Sequence, residues 1–117
     1  MDVINYDYKI ASVNSIEGVA AFLNRIRKID NAVVENIDLN DNNLRNSEGG
    51  MSTVLSGEIS DKEFINEIVK KNIDTINIYL NVSDEIVCIW INLRTWDVSV
   101  SLRADSGINV KDLEKYF

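Results

Sequence analysis

From its first residues the chain alternates between apolar and polar positions. Ile4, Tyr6, Tyr8 and Ile10 are separated by Asn5, Asp7 and Lys9, and a period of two sends one row of side chains inward and the other outward. A strand with one buried face is expected there. After Ser15 the period lengthens. Ile16, Val19, Ala20, Leu23 and Ile26 recur at helical spacing, which predicts a helix from Ile16 to about Lys28 with Ser15 as its N-cap. Arg25, Arg27 and Lys28 fall in the last turn, where cations complement the helix dipole. That accounts for the basic cluster without nucleic acid.

Val33, Ile37 and Leu39 predict a second strand, and Val54, Leu55 and Ile59 a third. They are joined by a polar stretch, NDNNLRNSEGG, from Asn40 to Gly50. Ser60 and Glu63 form an S-x-x-E capping box ahead of Phe64, Ile65, Ile68 and Val69, so a second helix begins there and ends near Asn72. Three strand patterns follow closely, at about residues 74 to 82, 85 to 93 and 95 to 103. Their short connections predict an antiparallel meander. Asn109 caps a last short helix with Val110, Leu113, Tyr116 and Phe117 along one side. The order is β-α-β-β-α-β-β-β-α. Strands gathered in runs predict an α+β fold, a largely antiparallel sheet with the helices packed on one face. The 117 residues fit a single domain.

The segment CIWINLRTWDVSVSL, Cys88 to Leu102, holds both tryptophans. A turn at Arg94-Thr95 sets Leu93 across from Trp96, Ile91 from Val98, Ile89 from Val100 and Val87 from Leu102, which aligns one apolar stripe. A slip of one residue would oppose those aliphatics to Asp97, Ser99 and Ser101, so burial selects the first register. Trp96 is thereby expected in the helix-covered core. Trp90 falls on the other face, across from Ser99, with Cys88 across from Ser101, Asn92 from Asp97 and Ile86 from Arg103. A two- or four-residue turn at Ser83-Asp84 adds Tyr79 to that face; a three-residue turn would reverse it. Tyr79, Ile86, Trp90, Ser99 and Ser101, rimmed by Asp97 and Arg103, have the composition of an interface hot spot. The alternative is that the N-terminal strand, the long polar connection or the last helix covers them.

Composition narrows the chemistry. The chain has no histidine and a single cysteine, Cys88, which removes the usual general base, His/Cys metal sites and an internal disulfide. Cys88 among aliphatic neighbours reads as a structural residue. Asp38, Asn40 and Asn42 sit at the first three ligand positions of a calcium loop, but Asn43 stands where the turn glycine belongs and Gly49 where the bidentate glutamate should be. A polar connection is the better reading, and no metal or cofactor is expected. Glu35, Asp38, Asp41 and Glu48 read as solvated acids rather than a catalytic pair. No apolar run is long enough for a membrane span and no secretory signal is visible, so a cytoplasmic protein is expected.

Nineteen Asp and Glu residues against twelve Lys and Arg give a formal net charge of -7. Such a chain is a poor partner for phosphate backbones; its charge either serves solubility alone or complements a basic protein. In size, charge and element pattern it resembles the small acidic immunity proteins of bacterial polymorphic and contact-dependent growth-inhibition toxin systems. The resemblance implies stoichiometric inhibition of a cognate toxin domain, often a basic nuclease, with no catalysis by the inhibitor. Asp38, Asp41 and Glu48 would help to steer such a partner, and Trp90 and Tyr79 would anchor it. A monomer or weak dimer is expected. A homodimeric secretion chaperone is the rival binding reading, and a small carboxylate-dependent enzyme the more distant one.

Overall fold

In the computed structural model, which describes residues 2–41 and 51–117, the elements are β1 (Val3–Tyr8), α1 (Ile16–Ile26), β2 (Ala32–Asp41), β3 (Met51–Ser56), α2 (Asp61–Lys71), β4 (Thr75–Val82), β5 (Glu85–Asn92), β6 (Val98–Arg103) and α3 (Val110–Glu114). The strands form one sheet in the order β1-β6-β5-β4-β2-β3, every neighbouring pair antiparallel. The chain leaves β1 at one edge and re-enters at β2, so α1 spans the intervening meander. The expected α+β architecture is the one found.

Local chemistry sets the helix ends. Ser15 accepts from the Gly18 N–H at 3.0 Å and Ser60 from the Glu63 N–H at 3.3 Å, satisfying donors that the first helical turn leaves unpaired. Asn72 closes α2 in the left-handed conformation, φ 52°, a position asparagine tolerates. Helix α1 ends at Ile26, two residues before the expected boundary, because the chain turns at Arg27 and Lys28. The arginines then act as clamps. Arg27 donates to the carbonyls of Gly57 and Ile59, and Arg25 to the main-chain oxygens of Tyr116 and Phe117.

Phe22, Leu23 and Ile26 of α1 and Phe64 and Ile68 of α2 are buried with Ile37, Leu39, Ile76, Ile78, Leu80, Ile89, Ile91, Val98 and Val100 of the sheet. Val110 and Leu113 place α3 on that same side. Phe117 meets Tyr8 and Phe22 edge to face, with ring centroids 5.1 and 5.6 Å away. Strand β2 breaks its alternation at Glu35, where the pairing to β4 shifts between Val34 and Asn36. One extra residue there re-aims the strand. Strand β3 ends at Ser56, so Ile59 lies in the turn beyond it rather than in the strand expected from its pattern.

The β5–β6 connection departs from expectation. The pairings of Ile91 with Val98, Ile89 with Val100, Trp90 with Ser99 and Cys88 with Ser101 are those predicted, but the turn is longer. Residues 93 to 96 form it, Trp96 donates its N–H to the Asn92 carbonyl at 2.8 Å, and Trp96 lies at φ 62°. A left-handed residue cannot continue the strand. Trp96 is on the helix-covered side but only half-buried, at the edge of the core, rather than within it.

Candidate functional site

Among the described residues the three helices lie on one side of the sheet, and no described helix lies over its second face. Its central rows follow from the pairings. One runs Asn5, Ser101, Cys88, Tyr79, Asn36, Ser56 from β1 to β3, and the next runs Asp7, Ser99, Trp90, Asn77, Asp38, Val54. Tyr79 opposes Cys88 and Trp90 opposes Asn77, so the two rings are diagonal neighbours on adjacent strands, within reach of each other. The two-residue turn at Ser83 and Asp84, φ 50° and 68°, fixes this register, as one of the expected turn lengths requires.

Two of the three segments expected as possible covers do not cover this face. Strand β1 lies in the sheet beside β6, and α3 packs on the opposite side. Of the third, the polar connection, Asn40 and Asp41 extend β2, and the rest, Glu48 included, lies outside the described residues. Trp90 and Tyr79 are each half-buried among amide and hydroxyl neighbours. Around them the face carries Val3, Val33, Val54 and Ile86, exposed by 53, 62, 64 and 47%. Four of the six exposed large aliphatics among the described residues are therefore on one surface. Of these, the sequence pattern singles out Ile86; Val3 and Val54 need the lateral order of the strands, and Val33 the bulge at Glu35 that puts it out of phase with Ile37.

The charged residues expected at the rim are differently engaged. Asp97 accepts an ion pair from Lys9 at 2.6 Å and a bond from the Thr95 hydroxyl at 2.7 Å, and these hydrogen bonds hold its carboxyl below the ordinary range. Arg103 forks onto both oxygens of Asp105. Asp38 is on the face, where it accepts from Asn36 at 2.8 Å. Burial first, and the Asp38 charge second, raise the Tyr79 phenol above its usual value. Asp41 is one residue beyond Asn40 and so points to the helix-covered side, engaged within the fold. The structure thus gathers Tyr79, Ile86, Trp90, Asp38, Ser99, Ser101 and Arg103 on one face, leaves Asp97 at its lower corner and removes Asp41 from it.

Cys88 is half-buried and burial pushes its thiol up, away from the thiolate a nucleophile needs. Among the described residues no group of three or more Asp, Glu and Cys side chains is placed to hold a metal ion. Within the same residues no helix is long and apolar enough to cross a membrane. Among the described residues the arrangement offers a sheet face of mainly amide, hydroxyl and aliphatic side chains with an aromatic pair at its centre. No protein-family model matches the chain, no curated protein matches it in sequence, and no solved structure matches its fold.

Proposed function

We propose that this protein is a stoichiometric inhibitor that binds another protein through the sheet face opposite the described helices, and that it serves as an immunity protein against a cognate toxin domain in the cytoplasm. The observation that carries the reading is the grouping of Trp90 and Tyr79 with Val3, Val33, Val54 and Ile86 on one surface that no described element covers. Aromatic anchors within a partly apolar patch and a polar surround are the usual composition of a binding surface. The net charge of -7 supports a basic partner, since opposite fields speed encounter and suppress wrong pairings. A nuclease domain is such a partner, because its own substrate requires a basic surface. Inhibition then consists of occlusion: a sheet of six strands laid over the basic substrate-binding surface excludes the substrate without any chemistry by the inhibitor.

The test is capture from a lysate of the native host at low and high salt, followed by an activity assay of whatever is retained. A basic protein, released by salt and silenced when bound one to one, is the expected result. Recovery of self-associated chain, or of an extended effector segment, would instead favour a secretion chaperone.

A further inference from the structure

A second concavity lies at the end of the sheet, where the β4–β5 turn, the link from α1 to β2 and the residues around α3 meet. Its volume is about 390 Å³, at the small end of ligand-sized cavities. Ile29, Val82 and Leu113 give it an apolar floor, and Asp30, Glu85 and Asp112 line its mouth with carboxylates. Glu85 is held by the Gly107 N–H, 3.2 Å from each of its oxygens. The side chains of Asp30 and Asp112 have no hydrogen-bond or ion-pair partner among the described residues. Against three acids the cavity has one lining cation, Lys115, which sits 5.4 Å from the ring centroid of Tyr116. The aromatic wall thus already attracts a cation of the chain itself.

We propose that this cavity is an anchor pocket for an arginine side chain presented by the protein partner. An apolar floor suits the methylene stem, and carboxylates on separate elements suit a planar guanidinium, whose five donors can engage more than one acid. Arginine is favoured over lysine because its head group is the more weakly hydrated and stacks on aromatic rings. The pocket adjoins the sheet face, since Glu85 lines it and Ile86, the next residue, is on that face. The inference rests on the binding role proposed above and adds a position-specific contact to it.

The probe is N-acetyl-arginine N-methylamide, titrated into the isotope-labelled full chain and followed by amide chemical shifts at low salt. Saturable shifts confined to Ile29, Glu85, Gly107 and Leu113 are expected, absent for the citrulline analogue. Affinity should fall about tenfold in an Asp30→Asn/Asp112→Asn variant, as expected for the loss of two exposed ion pairs. Equal shifts in the variant, equal response to citrulline, or shifts scattered over the molecule's acids would overturn the pocket. Tighter binding of free arginine than of the blocked form would overturn it in favour of a small-molecule site. Pocket binding that persists when Trp90→Ala leaves capture unaffected would refute the sheet-face reading alone; the opposite pattern would refute the pocket alone.

Discussion

Tyr79 and Asp38 are diagonal neighbours across the β2–β4 ladder, Tyr79 opposing Asn36 and Asp38 opposing Asn77. The aromatic centre of the face thus lies beside a carboxylate, and burial first and that charge second raise the phenol. Asp38→Asn should bring the Tyr79 titration part of the way back toward the ordinary tyrosine value, leaving the larger shift from burial. In the linkage relation, a raised phenol contributes stability that is present below about pH 10 and is lost as pH rises through the folded value. Ultraviolet titration of the two proteins checks this. An unchanged Tyr79 titration would mean that the carboxylate does not act on the ring.

The two tryptophans should separate binding from folding. Trp90 has no place in the packed core, whereas Trp96 lies against it. Trp90→Ala is expected to weaken partner binding by about 2 kcal/mol or more while changing stability by less than about 1 kcal/mol. Trp96→Ala should destabilise the fold by about 2 kcal/mol, below the range for fully buried aromatics, because the ring is half-exposed. Denaturant melts of both variants, with titration of a captured partner, provide the comparison; matching losses of stability would refute the assignment.

Gly57 shows how closely β3 approaches the bulge in β2. A Cβ built there would lie 1.8 Å from the Val34 carbonyl oxygen, while the carbonyl of Gly57 receives two bonds from Arg27. The backbone has little room to retreat. Gly57→Ala should destabilise by about 2 to 3 kcal/mol, as overpacking does, measured by urea unfolding. A neutral effect would show that the bulge is deformable.

At the other end, Ser83 and Asp84 hold positive φ in a two-residue hairpin where Asn and Gly are favoured. Replacing the pair by Asn-Gly should stabilise by about 1 kcal/mol. The same unfolding experiment reads the gain, and a loss would indicate that these side chains make contacts that the turn geometry alone does not require.

Much of this organisation was legible in the sequence. Period-two segments, the Ser60–Glu63 capping box and the apolar stripe pairing Ile89 with Val100 are local signals, and local signals survive folding. The alternation of Ile76, Ile78 and Leu80 with Asn77 and Tyr79 placed Tyr79 beside Trp90 once the turn length was known. Lateral strand order was not legible. That β1 pairs with β6, and β2 with both β3 and β4, is decided by long-range burial, so the contributions of Val3 and Val54 to the open face emerged only with the fold, while the bulge at Glu35 turns Val33, in phase with Ile37 in the sequence, onto that face. Trp96 was misjudged for a different reason. The turn begins one residue earlier than its sequence suggested, and the left-handed backbone at Trp96 carries the ring to the edge of the core.

Whether the sheet face is open in solution can be measured directly. A Trp96→Phe variant leaves Trp90 as the chain's one remaining tryptophan, and acrylamide quenching of its emission reports the access of solvent to the centre of the face. The account predicts readily quenched emission in the isolated protein and protection when a partner binds. Strongly blue-shifted, unquenched emission in the isolated chain would show the face to be covered, and would contradict a binding role for it.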